Sequence, residues 1–367
     1  MTQDILNKVA LTQLQGVGGG TIKQLISYLG SIEDIFKASK RHLVRIPSVG
    51  VKLAGELLNK SSFKKAEEII DHCNKNKIDI IFYTDHAFPE RLKSVYDSPV
   101  ILYSKGSLKT LNGKAISIVG TRKATNYGKG ITSDIISELE GNNCAVISGL
   151  AYGIDIEAHK TCLKQGISTY GVLAGGINRI YPKSHWKYAQ MMQEKGAILS
   201  ENPPDTIPDA RLFPARNRII AALSEAVIVV EAAESGGALI TANLADSYDK
   251  PVFAVPGNLK NTYSKGTNHL IRTQKATIYT CIEDVMEALH WDADKSNQIK
   301  GIDHLKLTGE EMAIVELLGN TDNGLQIDEI SWKTNIRINQ LAGILLTLEF
   351  NGLVKSLPGN RYASSLK

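Results

Sequence analysis

The chain has 367 residues, 43% of them hydrophobic and 22% charged, with 31 Gly, 11 Pro and a formal net charge of +4. At roughly 100–200 residues per domain this composition points to an ordered chain of two or three domains, not a disordered or collagen-like one. No apolar run approaches the roughly 20 residues of a membrane helix; the strongest, Ala226–Ala233, contains Glu231, and Met1–Ala10 lacks the apolar core of a signal peptide. A membrane or secreted protein is therefore not expected, and a cytoplasmic one is.

Residues 1–65 hold 10 Lys and Arg against 4 Asp and Glu, residues 66–290 balance at 24 of each, and residues 291–367 hold 8 against 10. A small basic front end suits a polyanionic partner, and an acidic tail does not. Cys73, Cys144, Cys162 and Cys281 are too far apart for CxxC pairing, and the eight histidines show no HxxxH or HExxH spacing. The cysteines read as reduced, mostly buried thiols, and neither metal nor cofactor is expected.

In chain order, residues 1–65 read as a helix-hairpin-helix-like domain. Leu14-Gln15-Gly16-Val17-Gly18 recurs 32 positions later as Ile46-Pro47-Ser48-Val49-Gly50, each copy followed by a helical apolar pattern. An apolar residue, a tight turn and a glycine opening a helix can present free N–H groups to a phosphate; the same pattern also serves a small helical packing module.

Residues 66–290 alternate strands with helices. The expected strands are Ala115–Val119, Cys144–Ser148, Thr169–Leu173, Ala197–Ser200, Ala226–Val230, Pro251–Val255 and Thr277–Tyr279, with helices such as Tyr127–Leu139 and Ala158–Gln165 between them. Continuous apolar strands with crossover helices specify an α/β fold, an extended Rossmann-like parallel sheet whose crevice lies beyond the strands' carboxyl ends. A polar connector at about 291–305 leads to residues 306–367, where three helices (Glu310–Leu318, Ile327–Thr334, Ile338–Asn351) precede Leu353–Leu357, the turn Pro358-Gly359-Asn360 and Arg361–Ala363. That order is a winged helix. Its third helix carries no Lys or Arg, so it is poorly equipped to read DNA.

Small-residue loops close most central strands: Gly120-Thr121-Arg122, Ser148-Gly149 through Asp155, Gly175-Gly176, and Ser235-Gly236. None is a dinucleotide fingerprint or a Walker loop, yet together they offer backbone N–H groups to one crevice, which suits phosphate. Arg122 can add a bidentate phosphate contact, or pair internally with Glu231 or Glu201. Phe213 offers a stacking face or core packing, and one of Arg216 and Arg218 is expected to hold the loop through an internal salt bridge. Asp155 reads as a helix N-cap, with His159 packed beside it.

The succession Ser117 to Arg122, Ser148 to Asp155 with Ala158-His159, Gly175-Gly176 with Tyr181-Pro182, Ser200-Glu201, Phe213 to Ile220, Val230 to Ala232 with Ser235-Gly236, and Val255 to Gly257 resembles the DNA-processing protein A family, also called Smf. The motifs stand in register from about Ala115 to Thr280. The resemblance implies a cytoplasmic protein that binds single-stranded DNA, forms a homodimer, protects incoming DNA during natural transformation and loads RecA recombinase. It carries the family's binding loop to Gly120, Thr121 and Arg122, and its second segment to Phe213, Arg216, Asn217 and Arg218. Ser148, Gly149, Gly175, Gly176, Ser235 and Gly236 complete the expected DNA-binding set. Tyr152 stands where the family often has Arg, and Ala210-Arg211 where a Lys is common; Arg211 is the expected substitute. The alternative is a phosphoribohydrolase-type enzyme. Its PGGxGTxxE motif would fall on Ala233 to Thr241, where both the proline and the trailing acid are missing. No catalytic residue is therefore assigned.

Overall fold

A computed structural model describes residues 2–59, 61–291, 308–319, 321, 324–351, 353–357 and 360–364. It divides into two units, Met1–Val285 and Met286–Lys367.

The first unit opens with six helices: α1 (Gln3–Thr12), α2 (Gly19–Leu29), α3 (Ile32–Lys37), α4 (Lys40–Leu43), α5 (Val51–Leu58) and α6 (Ser61–Asn76). The expected repeat is visible in the backbone. Gly18 and Gly50 are the extended residues that open α2 and α5, and their carbonyls accept from Ile22 and Ala54 N–H. Gly16 turns at φ +75°, and Ser48 adopts the same left-handed conformation at φ +67° despite its side chain.

Nine strands then form one sheet: β1 (Asp79–Phe82), β2 (Ile101–Gly106), β3 (Ala115–Val119), β4 (Ala145–Ser148), β5 (Thr169–Val172), β6 (Ala197–Ser200), β7 (Ala226–Val229), β8 (Val252–Ala254) and β9 (Thr277–Ile278). The order is β1-β2-β6-β5-β4-β3-β7-β8-β9. Pairing is parallel from β6 to β9, whereas β2 joins β6, and β1 joins β2, in antiparallel register. Strands β3 to β7 are buried throughout, as continuous apolar runs require when helices cover both faces. The connecting helices are α7 (Glu90–Lys93), α8 (Asn126–Glu138), α9 (Ile154–Gln165), α10 (Trp186–Met192), α11 (Leu212–Leu223), α12 (Gly237–Ser247), α13 (Lys265–Arg272) and α14 (Ile282–Ala288). The chain leaves β3 toward β4 on one side and reaches β7 on the other, so the topological switch lies between β3 and β7. A crevice is expected there.

The helical region and the sheet are joined by one apolar cluster. Leu11, Ile22, Leu43 and Leu57 belong to the same buried group as Phe82, Tyr103, Leu150 and Ile198.

In the second unit, helices Gly309–Gly319, Ile327–Thr334 and Ile338–Phe350 surround a core of Ile314, Leu318, Ile330, Leu341 and Leu345. Arg361–Ser364 pairs with both Val354–Leu357 and Leu325–Gln326, giving the winged-helix arrangement. Most of the expected polar connector and the Pro358-Gly359 turn lie outside the described residues. Among the described residues, no helix is long and apolar enough to cross a membrane.

Candidate functional site

At the switch point a crevice of about 680 Å³ is walled by Val119 to Lys123 after β3, by Ala151 and Asp155 after β4, by the amino end of α11, and by Ala232 to Thr241 after β7. Three glycines make these close approaches possible. A Cβ on Gly120 would stand 2.4 Å from Ile154 Cγ1, and one on Gly149 2.4 Å from Asp155 Oδ2 and 2.6 Å from both Arg216 terminal nitrogens. At Gly153 (φ +80°) it would lie 2.1 Å from Thr121 O.

Arg122 is exposed, with its guanidinium carbon 5.1 Å from the centroid of the Phe213 ring. Neither internal partner considered for it is free. Glu231 is 1% exposed and accepts from Thr125 N–H (2.9 Å) and Thr125 Oγ1 (2.6 Å) at the start of α8. Glu201 is paired with Arg218. Among the described residues Arg122 makes no ion pair, so its charge faces solvent at the crevice mouth.

Phe213 is half-buried, its outer edge met by Tyr181 at 5.9 Å between centroids with the rings inclined at 66°. Beneath it lies Arg216, 6% exposed, which donates to Val172 O and to Asn217 Oδ1 (3.2 Å) and faces Asp155 across Gly149. Burial pulls the Arg216 guanidinium down to about 10, against the opposing pull of Asp155, so it remains charged at neutral pH. Burial raises the Asp155 carboxyl, an effect partly offset first by Arg216 and then by the Ala151 N–H. The crevice thus holds two guanidinium groups against one buried carboxyl. The amino end of α12 opens on the same space at Ser235 and Gly236, which favours an anion further.

The structure brings together Gly120, Thr121, Arg122, Phe213, Arg216, Asn217, Ser235 and Gly236. Six other expected contacts do not line this crevice. Ser148 is wholly buried and donates to Ile118 O (2.6 Å); Gly149 is buried beneath Arg216. Gly175 and Gly176 are buried where side chains would strike Pro208 and Pro203 O, and the Gly176 N–H already donates to Thr206 O. Arg211 is exposed on Asp209 (2.8 Å), and Arg218 is held by Glu201 and Asp97 O. The Thr121 N–H, expected to reach a phosphate, donates instead to Glu231 O at 2.7 Å. Asp155 is not the N-cap of α9: Gly153 is, and Asp155 stands in the first turn. His159 is packed as expected, its ring nitrogens bonded to Thr169 Oγ1 and Gly149 O.

Lys123 was not singled out in the sequence, and Tyr181 was named there only as a motif residue, without a place at the site. Lys123 lines the crevice beside Arg122, and its position directly after the loop was the available signal. Tyr181 reaches Phe213 from a different loop, a proximity that no spacing along the chain reveals.

Residues 79–290 match the family model described as DNA recombination-mediator protein A, and residues 304–360 the DprA winged helix domain. The chain is similar to the DNA processing protein DprA of Bacillus subtilis, 40% identical over 62% of this chain and 76% of that one. It is also similar to Protein Smf of Escherichia coli, 34% identical over 74% of each chain. Among solved structures it resembles DprA from Streptococcus pneumoniae (TM-score 0.63, 30% identity, covering 78% of this chain and 98% of that one). It also resembles DNA processing protein A from Helicobacter pylori, in a structure concerned with its single-stranded DNA binding mode (TM-score 0.53, 32% identity, 59% and 97%).

Proposed function

Because the chain belongs to the DNA recombination-mediator protein A family, we propose that its switch-point crevice binds single-stranded DNA. The observation that carries this reading is the Arg122–Phe213 pair: an exposed guanidinium without an ion pair, set against a half-buried ring above a crevice of net positive charge. The guanidinium fork supplies charge-assisted phosphate bonds, and Phe213, with Tyr181 at its edge, supplies a face for a base. A ring accepts any base, so the binding is expected to be indifferent to sequence. Lys123 adds a second phosphate contact at the mouth.

The same reading makes the protein a cytoplasmic, homodimeric mediator that shields incoming strands during transformation and hands them to RecA. It assigns no turnover: Glu231, the buried acid nearest the β7 loop, is occupied at the start of α8. The test is a titration of oligo(dT) at several salt concentrations. Arg122→Ala is expected to keep the melting temperature while weakening binding, with a salt slope shallower by about 0.7 per lost single-strand phosphate contact. Arg122→Lys is expected to restore only part, since it lacks the fork. A folded Arg122→Ala protein that binds like wild type places the strand elsewhere. For the mediator role, RecA filament growth on protein-coated single strands is timed with and without the chain; no acceleration removes that role.

A further inference from the structure

The two hairpin turns of the N-terminal repeat have different surroundings. The first faces Tyr96 to Ile101 across a groove that also holds Asp97, Glu201 and Arg218. A Cβ on its Gly19 would meet Val100 Cγ1 at 3.6 Å. Its nearby cation, Lys23, is lowered by burial and then by Arg218. In the second turn Pro47, Ser48, Gly50 and Val51 are exposed.

Charge is concentrated on that second copy. From Ile35 to Gly55 the chain has no Asp or Glu. Lys40 and Arg41 on α4, Arg45 before the turn and Lys52 on α5 are all exposed. Among the described residues none of these four makes an ion pair or a side-chain hydrogen bond, whereas Lys8, Lys37, Lys93 and Lys265 are each paired. Between Phe36 and Phe63 there is no Phe, Tyr or Trp, so the surface has cations and no ring on which to stack an unpaired base.

We propose that the α4–α5 hairpin is a docking surface for the phosphate backbone of duplex DNA, separate from the crevice. Four exposed cations spread over α4, the turn and α5 suit a dense array of phosphates, and the missing aromatic face disfavours a single strand, whose binding draws on base stacking. The proposal does not rest on the crevice reading. A protein so built would engage the junction between a duplex and a single strand with two chemically different surfaces.

The test uses the full chain, a fluorescent duplex without overhangs, and oligo(dT). One variant carries Lys40→Ala, Arg41→Ala, Arg45→Ala and Lys52→Ala. A charge-matched control carries Lys75→Ala, Lys109→Ala, Lys164→Ala and Lys195→Ala. The hairpin variant is expected to lose about tenfold or more in duplex affinity at 0.1 M salt, with a slope shallower by about 0.9 per lost contact. Its oligo(dT) affinity should stay within about twofold, as should both affinities of the control. Restoring Arg41 and Arg45 in that variant should recover part of the duplex affinity. The proposal is overturned by undiminished duplex binding in the hairpin variant, by an equal loss in the control, by an equal loss for oligo(dT), or by no duplex binding in the wild type. Failure of Arg122→Ala to weaken oligo(dT) would sink the crevice reading and leave this one standing.

Discussion

Arg122 and Arg216 line the same crevice and differ in what holds them. Arg122 has solvent and a ring; Arg216 has the Val172 carbonyl, Asn217 and the Asp155 carboxylate facing it in a buried site. Removing one partner of a buried charge pair leaves the other uncompensated, at a cost of roughly 3–5 kcal/mol. Arg216→Met should therefore lower the denaturation midpoint sharply, whereas Arg122→Ala should leave it unchanged. If Arg216→Met folds with wild-type stability yet loses oligo(dT), Arg216 is a contact residue instead of the crevice floor. His159, beneath the same floor, sets a pH dependence. Its Nε2–H donates to Gly149 O, and Nδ1 lies 2.7 Å from Thr169 Oγ1, whose hydroxyl donates to Val146 O at 3.1 Å; what disfavours the charged ring here is its burial. Burial lowers this imidazole to about 4 from an unfolded value near 6.5. A group lowered on folding contributes stability above its unfolded pKa and loses it as pH falls through the folded one. Between pH 6.5 and 4 that amounts to about 3 kcal/mol. The buried Asp155 carboxyl is raised, which has the opposite sign: it favours the folded state at low pH and loses that contribution as pH rises. The urea midpoint should be lower at pH 4.5 than at pH 7 in wild type, and the difference should be far smaller in His159→Gln. An equal fall in both would assign the acid sensitivity to other groups.

At the scale of elements, the sequence was most legible where one face rule governed a segment. Strands β3 and β6 have the expected bounds, and β4, β5, β7 and β8 lose only terminal residues, because a strand buried on both faces must be an uninterrupted apolar run; β9 also loses only a terminal residue, but it is an exposed edge strand. The antiparallel pair β1 and β2 was missed: it stands outside the strand–crossover helix–strand alternation, pairing antiparallel with itself and with β6. Helix α11 starts at Leu212 and accommodates Pro214 because it falls within the first turn, where no intrahelical N–H bond is lost. The site showed the same division. The motif residues on one loop were found together, while the contact of Tyr181 with Phe213 depends on the sheet's strand order. The winged helix completes this scale. Its third helix, Ile338–Phe350, carries no cation and exposes Ile338, Leu346 and Phe350 at 49%, 54% and 84%. Such a helix releases few counterions from a nucleic acid. Deleting residues 305–367 should leave both oligo(dT) affinity and its salt slope nearly unchanged. A tenfold loss in a folded truncation would make the winged helix a DNA contact.

Across the whole molecule, charge and apolar surface divide the chain differently. Composition separates a basic front end, residues 1–65, from a neutral middle, whereas packing joins them. Val9, Leu11, Leu25, Ile35 and Leu43 are fully buried, and they share one apolar cluster with Ile101, Tyr103, Leu173 and Ile198 of the sheet region. Fully burying a large aliphatic side chain stabilises by about 1.5–3 kcal/mol, so even a few of these residues at the junction exceed the net stability of many domains. Residues 66–290 expressed alone would turn that part of the cluster toward water, including α6, whose Ala66, Ile70 and Cys73 lie in the same cluster. The fragment should therefore melt well below the full chain, bind a hydrophobic dye and self-associate, and its DNA affinity should be read only after folding is verified. The full chain without residues 305–367 should melt in one cooperative step, because helices and sheet share a core. Calorimetry decides between the two pictures. Two resolved transitions in that truncation, with the upper one matched by residues 66–290 alone, would mean that the helical front end folds as an independent body on a sheet able to stand without it.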